Sequence, residues 1–202
     1  MSKSSEIRAR ARARLGGNIF AAPWLFALLA SLVVALVTGL ISKIPFLGTV
    51  AGVIVAGAVY IGVAVYYLKL TRGENVGITD LLHGFKNDFS GNFMLGFMRS
   101  VFITLWSLLF VIPGIIKTYS YSMAVYIKAD HPYYRWNECI TISRYMMKGY
   151  KWKFFCLQLS FIGWDIVNFF MFGIGNLWLI PYKEAAYAEF YKERKAEYYE
   201  EY

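Results

Sequence analysis

The chain has 202 residues, of which 58% are hydrophobic and 19% aromatic, and its mean hydropathy is +0.44. This apolar fraction exceeds what a soluble domain of this length needs for its core, and it predicts a surface that faces lipid. The formal charge of +8 is concentrated between long uncharged stretches, a pattern typical of membrane topology and not of nucleic-acid binding. We therefore expect a single integral membrane domain over residues 1–202.

The basic run at the N-terminus, within residues 1–17, favours a cytoplasmic helix beside the bilayer. Its four arginines are Arg8, Arg10, Arg12 and Arg14. Anionic lipid headgroups would attract these guanidinium groups by about 1 kcal/mol per charge, so we predict lipid contacts here. The alternative is that the arginines only orient the first membrane span.

Two uncharged stretches follow, each longer than the roughly 20 residues that a helix needs to cross the hydrocarbon core. They run from Ile19 to Ser42 and from Ile44 to Leu68. We predict a helical hairpin whose outer tip is the turn Ser42–Pro45.

The middle of the chain allows two interpretations. Ser100–Ile116 could be one span, or Phe93–Ile112 and Ile115–Ala129 could be two spans joined at Pro113–Gly114. The single span would leave the basic segment Lys117–Lys153 outside, against the positive-inside rule. The charges therefore favour two spans.

Two further apolar stretches end the chain. Phe154–Phe172 is interrupted only by Asp165, and Asn176–Tyr191 follows after the turn Gly173–Gly175. The last stretch carries Lys183, Glu184 and Glu189. Its alternative interpretation is an amphipathic helix on the membrane surface.

These segments predict an all-α, polytopic membrane bundle of six spans, arranged as three hairpins with tight outer turns and with both termini cytoplasmic. Nearly all of the 21 basic residues then lie inside, Arg99 among them, with Lys43 outside and Lys117 and Lys183 at membrane depth. Residues 130–153 become a cytoplasmic amphipathic connector. Its segment Trp136–Trp152 has an apolar stripe that indicates an interfacial helix.

Polar residues within the predicted spans are candidates for function, because a polar group in hydrocarbon is costly and usually faces a partner or a cavity. They are Lys117, Ser120 and Tyr121 on the fourth span, Gln158, Asp165 and Asn168 on the fifth, and Lys183 on the sixth. If the stripes of the fourth and fifth spans face each other, they suggest permeation or solute binding. Structural pairing inside the bundle is the alternative.

Asp165 and Lys183 are placed symmetrically about the predicted outer turn. Each is nine positions from Ile174, so antiparallel helices would put both at a similar depth, roughly 13 Å below the turn at 1.5 Å per residue. We predict an ion pair between them.

No catalytic or metal-binding motif is present in the sequence. The two histidines, His83 and His131, stand alone, and Cys139 and Cys156 are expected to be reduced because neither has a disulfide context. We therefore predict no catalytic residue, no metal and no cofactor, and a protein that is not an enzyme.

Several stretches resemble the domain-of-unknown-function 975 family of bacterial integral membrane proteins, in the same order and over nearly the whole chain. They are Glu6–Arg12, Tyr67–Glu74, Ser107–Met123, Thr141–Trp152, Leu159–Trp164, Gly173–Gly175 and Pro181–Tyr182. The resemblance implies a bacterial plasma membrane. It implies no activity, substrate or site residue.

Two functions remain as hypotheses. One is a small transporter or pore component with a polar intramembrane path; the other is a non-transporting scaffold or accessory subunit that acts through its basic cytoplasmic face. A polar cavity at membrane depth would favour the first, and a solid apolar core the second. The expected partners are the lipid bilayer and its anionic headgroups. A small-residue stripe at Gly48, Gly52 and Ala56 fits either packing within the bundle or a homo-oligomer, and a membrane partner stays open.

Overall fold

The computed structural model describes residues 2–16, 24, 25, 27–29, 31, 32, 39, 47–171, 173 and 175–201, with the backbone alone at 47–56, 200 and 201. Every regular element in these ranges is helical, so the chain is all-α as predicted. The elements are α1 (Ser4–Arg14), α2 (Leu47–Arg72), a 3-10 turn (Ile78–Leu82), α3 (His83–Lys86), α4 (Phe89–Leu109), α5 (Val111–Ser120), α6 (Ala124–Asp130), α7 (Trp136–Met146), α8 (Lys151–Leu159), α9 (Ile162–Phe170) and α10 (Asn176–Glu201). Most of the predicted first span and its turn at Ser42–Pro45 lie outside the described residues.

Helix α4 and the consecutive helices α5 and α6 form an antiparallel hairpin. At its base, Lys128 Nζ lies 2.6 Å from Asp88 Oδ2, and the carboxylate of Asp88 also accepts a hydrogen bond from the Gly91 amide in the first turn of α4. Near its tip, a Cβ built on Gly114 would lie 2.7 Å from Ser107 Cα. Contacts at both ends show that the chain returns along the whole length of α4, as the two-helix interpretation predicts.

The reversal itself is not at Pro113–Gly114, where the sequence predicted it. The chain turns at Phe110, whose backbone is extended (φ −157°, ψ 140°), and α5 begins at the next residue. Pro113 is the third residue of α5, where a backbone N–H has no acceptor within the helix, so proline is tolerated there. Gly114 instead permits the close approach to Ser107.

Two of the predicted spans are broken helices. Between α5 and α6 the hydroxyl of Ser122 donates to the Tyr119 carbonyl, and between α8 and α9 the hydroxyl of Ser160 donates to the Leu157 carbonyl. Such side-chain bonds take over carbonyls that a continuous helix would use. At the second break, Arg8 Nη1 also donates to the Ser160 carbonyl at 2.9 Å.

Helix α2 packs closely against α4 through glycines. A Cβ on Gly96 would lie 2.6 Å from Gly57 Cα, and one on Gly57 would lie 2.5 Å from the Asn92 carbonyl oxygen. These contacts are within one chain. The predicted stripe at Gly48, Gly52 and Ala56 lies where side chains are not described.

The N-terminal helix α1 lies along α10. It buries Ile7 and Ala11, which are one helical turn apart, and Leu15 follows in the same row. Helix α10 is 26 residues long and continues through Pro181. Because α1 packs against it, much of the charged C-terminal half of α10 is covered by protein.

The connector 130–153 is packed onto the bundle. Helix α7 ends at Met146, earlier than the predicted Trp152, and the chain then turns through Gly149, whose φ of +81° suits glycine. Its inner face buries Cys139, Ile140 and Met147. The apolar stripe that predicted an interfacial helix is thus covered by other helices.

One described helix, α4, is long and apolar enough to cross a membrane by length and composition. Apolar side chains are exposed at the turn of the α4–α5 hairpin and in the stretch around the end of α9, for example Leu108 (84%), Ile112 (72%) and Phe169 (79%). The described part of the chain does not confirm the six-span bundle, because α5, α6, α8 and α9 are each short.

Candidate functional site: a central polar cavity

The main candidate site is a cavity of about 390 Å³, hereafter the central cavity. Residues from α2, α4, α5, α6, α8 and α10 line it, together with Ser122 between α5 and α6. Its polar lining residues are Tyr60, Arg99, Thr118, Tyr119, Ser122, Tyr126, Gln158, Glu184 and Tyr187. The volume is in the range of small-molecule sites.

Two opposite charges face this cavity. Arg99 lies in the middle of α4, and its Nε is buried without a hydrogen-bond partner in the described part of the chain. Glu184, on α10, accepts a hydrogen bond of 3.3 Å from the Tyr126 hydroxyl. A buried charge without a partner is costly, so each of these groups has unused capacity to bind a ligand.

The sequence does not single out these two residues. Arg99 is expected among the inner basic residues although it lies within the predicted span Phe93–Ile112, and Glu184 enters only with the alternative of a surface helix for the last stretch. The signal that could have found them was a charge in the interior of each apolar stretch. Their meeting in one cavity depends on tertiary packing.

The predicted polar stripes of the fourth and fifth spans do not face each other as expected. Gln158 does line the central cavity, and its Oε1 accepts a hydrogen bond of 2.8 Å from Tyr119. Tyr119 belongs to a neighbouring face of α5, with Thr118 and Ser122 close by in the lining. A helix turns by about 100° per residue, so a shift of one position changes which face meets the partner.

Lys117, Ser120 and Tyr121, the predicted candidates on the fourth span, point elsewhere. Lys117 Nζ lies 4.5 Å from the centre of the Trp106 ring, a cation–π contact within the α4–α5 hairpin. The Ser120 carbonyl accepts a hydrogen bond of 2.8 Å from the Ser143 hydroxyl of α7. Tyr121 is buried beside Phe102.

The candidates near the α9–α10 turn pair with each other. Lys183 Nζ lies 2.5 Å from Asp165 Oδ1, so the predicted ion pair is present. Asn168 Nδ2 donates to Asn176 Oδ1 at 2.7 Å. These pairs join the two helices outside the lining of the central cavity.

The four N-terminal arginines, predicted to bind anionic lipid, all contact the protein. Arg8 binds the Ser160 carbonyl as described, and Arg12 lies over the Tyr182 ring, 5.5 Å from its centre. Arg10 and Arg14 pair with Glu193 and Glu189 of α10, at 2.6 and 3.5 Å. Lipid contact remains a prediction, and much of the charge is already compensated within the chain.

A charged cluster lies at the end of the bundle opposite the turn of the α4–α5 hairpin. Asp130 accepts hydrogen bonds from Arg72 of α2 and from Lys195 and Tyr191 of α10. Burial opposes ionisation of Asp130, but the bonds from Lys195 and Arg72 together outweigh it and hold the pKa of this carboxyl below its usual value. This carboxylate therefore ties three helices together while it is ionised.

A second cavity, of about 460 Å³, is mostly apolar. Trp24, Trp164 and Trp178 line it, with Arg12 also in the lining. Arg12 is the one charged residue among the described lining residues, which therefore lack the two opposite charges of the central cavity.

Cys139 and Cys156 are both free thiols. Cys139 is buried, and burial raises its pKa to about 11, so the thiol is protonated at neutral pH. No group of three or more His, Cys, Asp or Glu residues suited to a metal ion occurs among the residues described.

Comparisons with known proteins give a family and no function. A family model described as "Protein of unknown function (DUF975)" matches residues 1–120 and 108–197. No curated protein and no solved structure matches the chain.

Proposed function

Because the chain belongs to the domain-of-unknown-function 975 family, whose description gives no activity, we propose its function from the central cavity. The protein is a non-enzymatic integral membrane protein that binds a small polar solute in this cavity, as a small transporter or pore component. The observation that carries the proposal is the presence of Arg99 and Glu184 in the lining of one cavity.

Membrane insertion is supported by where the apolar surface lies. Exposed apolar side chains concentrate at the turn of the α4–α5 hairpin and around the end of α9, whereas the Asp130 cluster lies at the opposite end. In water such exposed side chains would be unfavourable. We place these tips toward the outer face of a bacterial plasma membrane, in a six-span arrangement with both termini and the connector 130–153 in the cytoplasm.

The position of Arg99 supports a solute path. It is about 15 Å from either end of α4 at 1.5 Å per residue, which is near the bilayer centre if α4 spans the membrane. A charge at that depth normally faces a water-filled cavity or a partner. The polar lining around it provides such a surface.

The scaffold hypothesis draws less support. It relies on a basic cytoplasmic face available to partners, and the arginine run of α1 is largely engaged with α10 and with the α8–α9 break. A cavity with a few convergent polar groups is typical of a small-molecule site, and the scaffold hypothesis does not require one.

Substituted cysteines test the proposal with a matched pair of serines. In a Cys139→Ser, Cys156→Ser background, Ser122→Cys would place a thiol in the lining of the central cavity, and Ser120→Cys would place one at a buried position that is not part of that lining. In proteoliposomes we expect a small hydrophilic thiosulfonate to modify the first and to spare the second. Protection of both thiols would mean a sealed cavity and would overturn the proposed solute path.

Extraction tests the membrane part separately. The full chain should remain in the pellet when membranes are washed with alkaline carbonate, and detergent should release it. Release by carbonate alone would exclude an integral membrane protein.

A further inference from the structure

The two charges of the central cavity do not neutralise each other. Arg99 and Glu184 line the same cavity, yet the ion pairs found among the described residues do not join them, although pairs such as Lys183–Asp165 form nearby. Arg99 Nε has no hydrogen-bond partner in the described ranges. The hydrogen bond that Glu184 accepts from the Tyr126 hydroxyl is long, at 3.3 Å. Each charge is therefore incompletely compensated by the protein itself.

The space around these charges is rich in aromatic rings. Tyr60, Tyr119, Tyr126, Tyr187 and Phe154 all contribute to the lining. The faces of such rings attract ammonium groups, and tyrosine hydroxyls donate hydrogen bonds to carboxylates. The cavity thus offers one place for a negative group, at Arg99, and a differently built place for a positive group, at Glu184.

From this arrangement we infer that the solute is a small zwitterion, whose carboxylate binds Arg99 and whose ammonium group binds Glu184 among the tyrosine rings. This inference rests on the proposed function and names its substrate class. A simple anion would leave the charge of Glu184 uncompensated, and a simple cation would leave the charge of Arg99 uncompensated. A zwitterion compensates both and brings no net charge into the membrane.

The test is ligand-induced thermal stabilisation of the purified full chain in detergent, since a ligand that binds the folded state raises its stability. The zwitterionic probes are glycine betaine and ω-amino acids from glycine to 6-aminohexanoate, which scan the separation of the two charges. Each has matched probes that carry one charge: the corresponding alkanoate and the corresponding alkylamine. We expect at least one zwitterion to bind tenfold or more tightly than both of its matched probes.

Charge-removing variants sharpen the test. Arg99→Gln should weaken binding of the preferred zwitterion by about tenfold to a hundredfold, the loss typical of hydrogen bonds to a charged group, and should leave a preference for alkylamines. Glu184→Gln should weaken it similarly and leave a preference for alkanoates. Lys117→Gln and Asp165→Asn, which remove charges outside the central cavity, should leave binding unchanged.

The outcomes separate the two proposals. If an alkanoate or an alkylamine bound as tightly as the best zwitterion, the zwitterion inference would be wrong while solute binding would stand. If no probe bound and Ser122→Cys were also protected from the thiosulfonate, the proposed function would fall with it. If Arg99→Gln and Glu184→Gln did not fold, Arg99→Lys and Glu184→Asp, which keep the charges, would replace them in the test. A loss of the zwitterion preference in Lys117→Gln instead would overturn the assignment of the solute to the central cavity.

Discussion

Lys183 Nζ and Asp165 Oδ1 are 2.5 Å apart and join α10 to α9 across the turn between them. Their equal spacing about Ile174 predicted this meeting, because two antiparallel helices that leave one tight turn bring such positions to the same level. The contact is a property of the hairpin.

A double-mutant cycle on this pair distinguishes lipid from water around it. In hydrocarbon, Asp165→Leu alone or Lys183→Leu alone leaves an unpaired charge and costs several kcal/mol, whereas the double substitution should recover more than half of the loss. At about 2–4 °C per kcal/mol for a chain of this size, the single variants should melt several degrees lower in detergent.

The Lys69–Asp80 pair, at 2.7 Å, is a matched control outside the proposed spans. Coupling there should be about 1 kcal/mol or less, as for ion pairs in water. Equal and small coupling energies for the two pairs would contradict a membrane environment at Asp165.

Gly114 and Gly163 provide a second matched comparison. A Cβ on Gly114 would lie 2.7 Å from Ser107 Cα, whereas one on Gly163 meets nothing within 4 Å. We expect Gly114→Ala to destabilise the hairpin by about 1–3 kcal/mol through overpacking. Gly163→Ala should be neutral or stabilising by up to about 1 kcal/mol, because alanine favours helix. Thermal melting in detergent measures both, and equal effects would place the α4–α5 contact elsewhere.

Asp130 should make stability depend on pH. Its folded-state pKa is lowered, so the stabilisation is fully present above the unfolded value of about 4 and is lost as the pH falls through the folded value. Asp130→Asn should therefore melt well below the unmodified protein at pH 7, and the difference should shrink below about pH 4.

Asp88→Asn is the control for this experiment. The carboxylate of Asp88 also has a lowered pKa because of its bond from Lys128, but it is 48% exposed, so solvent screening should make the effect smaller. A larger effect at Asp88 than at Asp130 would contradict the role assigned to the Asp130 cluster.

Thiol labelling tests the orientation. In the cysteine-free background, Phe110→Cys should be labelled by an impermeant reagent added outside intact cells, since Phe110 forms the tip of the α4–α5 hairpin. Tyr133→Cys, at a 98% exposed position of the connector, should be labelled only after the membrane is opened. The reverse pattern would invert the topology.

The sequence by itself determined the features that depend on nearby positions. The charge pattern around Pro113 predicted that the chain reverses between two apolar helices, and symmetry about Ile174 predicted the Asp165–Lys183 pair. Composition and hydropathy predicted an all-α chain, because long uncharged apolar stretches favour helices over other regular structures. The rise of a helix and the cost of a charge in lipid are enough to predict these features.

Tertiary structure decided the features that depend on helix rotation and on breaks. The 100° turn between consecutive residues determines whether Tyr119 or Lys117 faces α8, and neighbouring helices set that rotation by packing. The breaks at Ser122 and Ser160 arise where hydroxyls take over backbone carbonyls. Arg99 and Glu184, which lie far apart in the chain, meet at one cavity because several helices fold around it, and a pattern along one helix carries no information about that meeting.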